Sequence, residues 1–115
     1  MPRDWADMAI YKIFRDEEWA AFRAAGHTDG APVDLADGFI HFSTSEQVHE
    51  THARHFAGES GLWLIEVDDT ELGDALNWEP SRGGALFPHL YRTLQIADVT
   101  AQMAWDDWAR ANPVP

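Results

Sequence analysis

Hydrophobic and polar positions change period several times along this chain, and the changes divide it into short elements. Residues 8–14 (MAIYKIF) alternate and predict a first strand. Ile10, Lys12 and Phe14 share one face of it; Ala9, Tyr11 and Ile13 share the other. Asp16–Ala25 then takes a helical period, with Trp19, Phe22 and Arg23 at i, i+3 and i+4. Asp16, Glu17 and Glu18 suit the positive end of that helix, and Gly26 suits its stop. Residues 28–37, with Gly30 and Pro32, predict a turn-rich loop. Residues 38–43 (GFIHFS) predict a second strand, with Phe39, His41 and Ser43 on one face and Ile40 and Phe42 on the other. A second helix is expected over 45–57, ended by Gly58. Ser43-x-x-Glu46 and Thr44-x-x-Gln47 both have the spacing of a capping box at its start.

Residues 61–67 (GLWLIEV) are apolar enough to predict a central strand. Residues 68–73 read as a turn or short helical piece, and 76–79 as a short strand stopped by Pro80. Residues 81–85 (SRGGA) read as a flexible loop and 87–94 as irregular or extended chain. Val99, Ala101, Met103 and Trp105 alternate with smaller or polar neighbours and predict a final strand over 99–105, followed by a tail. About five short strands with two early helices make α+β the expected fold class.

The 115 residues fit one domain, 1–115, with a core over about 8–105 and fraying expected at 1–7 and 112–115. Six tryptophans supply enough apolar area that the core needs no covalent staple. None is available, because the chain has no cysteine; disulfides, thiolate metal sites and cysteine nucleophiles are excluded. A formal net charge of −12 argues against general binding of nucleic acid, which relies on Lys and Arg, and against anionic membranes. It leaves room for a small anionic ligand held by one local cation or helix start. The chain lacks a basic-then-apolar leader and any apolar run near the ~18 residues of a membrane span, so the expected location is cytoplasmic.

Two clusters carry candidate chemistry. In the first, His41-Phe42-Ser43-Thr44-Ser45-Glu46 runs from a strand end into a helix start, where free backbone N–H groups favour an anion. Helix capping alone also accounts for its Ser, Thr and Glu. His41 reads equally as a satisfied core histidine or as a tuned acid or base. In the second, Phe87-Pro88-His89-Leu90-Tyr91-Arg92 follows the Gly-Gly loop, with His89 and Tyr91 sharing a face if the segment is extended. Glu79, between Trp78 and Pro80, reads as a surface charge or as a carboxylate for proton transfer. His49, His52 and His55 are spaced by three, but the outer pair diverge by roughly 120° around a helix, so one ion does not meet all three. A solvated helix face with His52 partly covered is the expectation, and no metal is expected. The chain has no Gly-x-Ser-x-Gly, Walker loop, Gly-x-Gly-x-x-Gly or His-Glu-x-x-His.

Five blocks taken in order closely resemble the bacterial domain-of-unknown-function 952 family (DUF952). They are Ile10-Tyr11-Lys12-Ile13, the run from Asp37 to Val48 (DGFIHFSTSEQV), the run from Leu62 to Asp68 (LWLIEVD), Trp78-Glu79, and Phe87-Pro88-His89-Leu90-Tyr91. The resemblance spans about 9–103. It implies a fold similar to that of ADP-ribosyltransferases, a split mixed or antiparallel sheet clasping NAD. Phe42-Ser43-Thr44-Ser45 matches the aromatic-Ser-Thr-Ser wording that braces the NAD site in one branch of that superfamily. Lys12 stands where family members often carry His after the Tyr of strand one, and it lacks the bidentate fork of arginine. No Glu-x-Glu follows, and Glu79 is the stand-in.

The resemblance and the clusters together imply a cleft between strand one, 41–45 and 89–92. In it Lys12 or Arg92 holds phosphate, Ser43 and Thr44 orient ribose, Tyr91 contributes to binding, and His41 or His89 transfers protons with Glu79 nearby. NAD or an ADP-ribose-type nucleotide is the implied ligand. The alternatives are a non-catalytic binding or protein-interaction module using the same pocket, and a structural dimer joined through surplus tryptophans.

Overall fold

A computed structural model of the chain describes residues 9–114, leaving aside the Arg82 side chain. Met8, the first residue of the predicted strand, and the predicted fray at 1–7 lie outside the described residues.

The first strand, β1 (Ala9–Arg15), is buried on both faces through Phe14. Its neighbour β4 (Leu62–Asp68) runs antiparallel to it and lies between β1 and β8 (Val99–Ala104), the central place that its apolar run predicts. Two cores flank this sheet. On one face Ile10, Phe14, Ile65 and Val67 pack with Trp19 and Phe22 of helix α1 (Asp16–Ala25). On the other Tyr11, Ile13 and Leu64 pack with Val48 and Trp105. Val48 opens helix α3 (Val48–His55), and Trp105 opens helix α4 (Trp105–Ala111). The predicted tail is thus partly a helix. Its seven residues are short, and the alternation of 99–105 carries through to Trp105, which hides the change of period.

A second antiparallel sheet holds β3 (Ile40–His41), β6 (Leu86–Leu90) and β5 (Leu76–Pro80), in that order. Of the stretch predicted to be irregular or extended, 87–94, residues 87–90 are strand with a partner on each side and 91–93 are irregular. A two-residue ladder joins β2 (His27–Thr28) to β7 (Leu94–Gln95). The two larger sheets meet at one rung: Tyr11 N–H donates to Ser43 O at 2.7 Å, and Ser43 N–H to Tyr11 O at 2.8 Å. All these pairings are antiparallel, and the α+β class stands.

The predicted loop 28–37 instead holds helix α2 (Pro32–Asp37). Pro32 at its first turn needs no donor partner, Asp34 accepts the Ala31 N–H at 2.7 Å, and Gly38 closes it in the left-handed conformation at φ 84°. Gly30 enters at φ 105°, and a Cβ there would lie 2.3 Å from the Asp34 carboxylate. The second predicted strand shrinks to two residues plus the Ser43 rung. The second helix starts at Val48 rather than Ser45, because residues 45–47 form a turn, and it ends before Phe56 rather than at Gly58. Among the described residues no helix is long and apolar enough to cross a membrane.

Candidate functional site

Beyond the Tyr11–Ser43 rung the two sheets part, and a cleft of about 650 Å³ opens along the seam. That volume is in the range of small-molecule sites. β1 supplies Lys12 and Arg15, the β3 segment supplies His41 and Ser43, and β6 supplies Phe87 and His89. Ala31 to Val33, at the start of α2, form another wall.

At the base of that wall lies a buried charge network that sequence reasoning missed. Asp34 is 1% exposed and takes hydrogen bonds from the Ala31 and His41 backbone N–H groups and from His41 Nδ1 at 2.6 Å. His41 occupies Oδ1, while Oδ2, which takes the Ala31 N–H, also sits 2.9 Å from Lys12 Nζ. Burial pushes the Asp34 carboxyl up, but the His41 ring, the Lys12 charge and the His41 amide outweigh it and hold the pKa at about 2. The signal was present in the sequence. Lys12 stands between Ile10 and Phe14 on a core face, and a buried ammonium calls for a carboxylate.

Lys12 also donates to His41 O at 3.1 Å. An ammonium has three donors, and among the described residues these two contacts leave one of them unassigned on a side chain that lines the cleft. His41 lies between two carboxylates: Nδ1 on Asp34, and Nε2 3.0 Å from Asp37. Both contacts are hydrogen bonds only when both ring nitrogens carry a proton.

His89 is held differently. It is 5% exposed and lines the cleft. Its Nδ1 donates to Glu79 Oε1 at 2.8 Å, and Phe39 stacks on its ring at 4.2 Å between centroids. Among the described residues Nε2 has no hydrogen-bond partner. With Glu79 fixing Nδ1–H, the neutral ring keeps its lone pair on Nε2. The Tyr91 hydroxyl donates to the same Glu79 oxygen at 2.7 Å. These two bonds, Tyr91 first, hold the Glu79 carboxyl below its usual range, and the same carboxylate raises the Tyr91 phenol. The pairing of β5 with β6 sets Glu79 against Phe87, one step along from His89, and so brings together residues ten apart in sequence.

The remaining candidates separate. Ser43 lines the cleft, 4% exposed, with its hydroxyl 2.8 Å from that of Thr51. Thr44 lies outside the cleft lining and closes the turn that leads into α3: its Oγ1 accepts the Gln47 N–H, and Gln47 Oε1 accepts the Thr44 N–H. Thr44→Ala is expected to cost about 1 kcal/mol in urea unfolding and to leave any ligand's affinity for the cleft unchanged. A loss of affinity with unchanged stability would make Thr44 a ligand contact instead. Arg92 also lies outside the lining, forked onto Asp98 at 3.0 and 3.2 Å. Of the three spaced histidines only His55 lines the cleft. His49 donates to Asn112 O, and His52 stacks on Trp105 at 4.4 Å, where burial lowers its pKa. His52 is thus half-buried, in line with the partly covered face expected for it; His49 is half-buried as well, and His55 is exposed.

The cleft's electrostatics oppose those of the chain. Three of the eight Lys and Arg residues (Lys12, Arg15, Arg54) and three of the six histidines (His41, His55, His89) line it. None of the twenty Asp and Glu residues does so among the described residues. The carboxylates that pair with these groups stand behind or beside the walls.

The fold has solved counterparts. The crystal structure of protein CC0527 from Caulobacter crescentus is 51% identical, with 84% of each chain covered and a TM-score of 0.81. A double-methionine variant of that protein, also seen by crystallography, is 49% identical over the same shares at 0.81, and its solution NMR structure is 50% identical at 0.77. Among curated proteins no relative matches. The family model described as "protein of unknown function (DUF952)" matches residues 13–102, and the chain belongs to that family.

Proposed function

We propose that the cleft binds a small anionic ligand of the NAD or ADP-ribose type, and that His89 is the group placed to exchange a proton with it. One observation carries the reading: in a chain of net charge −12, the described residues lining this cleft include no carboxylate and six basic or imidazole side chains. An anion there gains from nearby donors in a partly desolvated site. The apolar walls, Pro32, Val33, Phe42 and Phe87 among them, suit a base or another flat body. The resemblance to the ADP-ribosyltransferase fold supports the choice of nucleotide but does not license a reaction. The third Lys12 donor and the Ser43 hydroxyl are the polar contacts.

Proton transfer falls to His89 rather than His41, because His41 has both nitrogens committed to carboxylates. Glu79 holds the His89 ring and offsets the charge it gains. Binding without turnover is the second reading. It is favoured by the pairing of Arg92 with Asp98, which leaves that expected phosphate contact outside the cleft.

The test is thermal unfolding with and without millimolar NAD, ADP-ribose and ATP. A ligand at a hundred times its Kd adds about 2.7 kcal/mol, a rise of roughly ten degrees for a domain of this size. A rise with NAD or ADP-ribose supports the reading; no rise with any of the three overturns it. His89→Gln is then expected to leave binding within about threefold, less than 1 kcal/mol, while abolishing any consumption of the bound nucleotide.

A further inference from the structure

We infer that Arg15 is the residue that anchors the ligand's anionic group, and that Glu59 is a resident competitor occupying its guanidinium in the empty cleft. The inference rests on the anion-binding reading of the cleft and names the subsite within it. Arg15 ends β1 and lines the cleft. Its Nε donates to Glu59 Oε1 at 2.8 Å, and its Nη2 to Glu59 Oε2 at 3.1 Å. This two-oxygen fork is the geometry in which arginine recognises a carboxylate or two oxygens of a phosphate. The guanidinium carbon lies 4.8 Å from the centroid of the Phe56 ring, and Phe56 lines the same cleft. The guanidinium thus has a cation–π partner as well as Glu59.

Glu59 itself is outside the cleft lining, 38% exposed in its side chain, on the segment between α3 and β4. That segment has no helix or strand of its own. It turns through Gly58 at φ 79° and Gly61 at φ 70°, and its backbone is tied by the Glu59 N–H to Phe56 O. An exposed ion pair of this kind contributes little net stability. An incoming anion can therefore take the fork while the Glu59 side chain swings into water. The Arg15 backbone N–H donates to Glu18 Oε1 at 2.8 Å, and Glu18 Oε2 stands 3.6 Å from Arg15 Nη1, outside the fork, so Glu18 holds the anchor in place independently of Glu59.

Arg54 provides the internal control. It also lines the cleft and pairs with a carboxylate, Glu50, but through a single Nε contact one turn away on its own helix. Glu50→Gln removes the same charge as Glu59→Gln without freeing a fork.

The experiment measures ADP-ribose affinity by calorimetry for the intact chain, Glu59→Gln, Glu50→Gln and Arg15→Lys. Glu59→Gln is expected to tighten binding roughly two- to fivefold, the range an exposed pair spans. Glu50→Gln is expected to leave it unchanged. Arg15→Lys keeps the charge but lacks the fork, and is expected to weaken binding about tenfold or more. Equal tightening by Glu50→Gln and Glu59→Gln reduces the effect to net charge and overturns the inference. So does ADP-ribose binding that neither Arg15→Lys nor Glu59→Gln moves, which leaves the cleft reading itself intact. Failure of all four chains to bind ADP-ribose overturns the inference, and overturns the cleft reading too where NAD and ATP also fail to bind. Binding by Glu59→Gln alone supports the competitor directly.

Discussion

Asp34→Ala is expected to lower the unfolding free energy by about 3–5 kcal/mol, the usual result of removing one partner from a buried charge pair. The loss leaves Lys12 Nζ, 7% exposed, without its counter-charge, and the His41 and Ala31 N–H groups without their acceptor. Urea unfolding measures it, and a change below about 1 kcal/mol would show that water takes over the role of the carboxylate. The pair itself is expected to add little to stability. Lys12→Met with Asp34→Leu exchanges it for apolar volume and should recover much of the loss. What the network supplies is a position: it ties α2, a wall of the cleft, to β1 and β3.

The same carboxylate sets an acid limit. Its folded pKa of about 2 lies below the 3.8 of the unfolded chain, so the folded state binds this proton less readily. The stabilisation is complete above about pH 4 and is lost as the pH falls toward 2, amounting to about 2 kcal/mol. Asp34→Ala should flatten the acid limb of the stability profile in that window.

Trp105→Ala is the second large effect, expected at about 3–5 kcal/mol. Trp105 is 5% exposed and fixes α4 against the sheet. It stacks with His52 at 4.4 Å and forms a tilted pair with Trp108 at 5.4 Å, and Trp108 lies 5.7 Å from Tyr11. Tyr11 carries the rung that joins the sheets, so the loss of α4 docking is expected to reach the cleft. Thermal unfolding, together with size-exclusion mass at several concentrations, separates this from a dimer contact. A Trp105→Ala chain that keeps its unfolding temperature but falls in mass would place this tryptophan between copies instead.

Several elements were legible in the sequence because their signals are local. The alternation in β1, the apolar run of β4 and the helical period of α1 each outlast one turn or four strand residues. α2 was not legible, since six residues with Gly, Pro and Asp around them read as punctuation. Asp34 was lost with it. His41, Ser43, His89 and Glu79 were visible as residues, but their division of labour was not. That division depends on the hairpin that puts Glu79 beside His89 and on a helix that brings Asp34 beneath His41. Thr44 shows the converse, because its pairing with Gln47 was readable from spacing alone; the reciprocal bonds form, around the turn before α3 rather than on its first residue.

The single rung between Tyr11 and Ser43 has a mechanical consequence. It does not act alone: Lys12 on β1 donates to His41 O on β3 and pairs with Asp34, and Ile10 and Phe14 of one sheet share a core with Ile40, Phe42 and Leu90 of the other. Turning one sheet against the other would therefore cost charge and packing contacts as well as the rung. The cleft behaves as a slot of set width, and a ligand is selected by whether it fits that width.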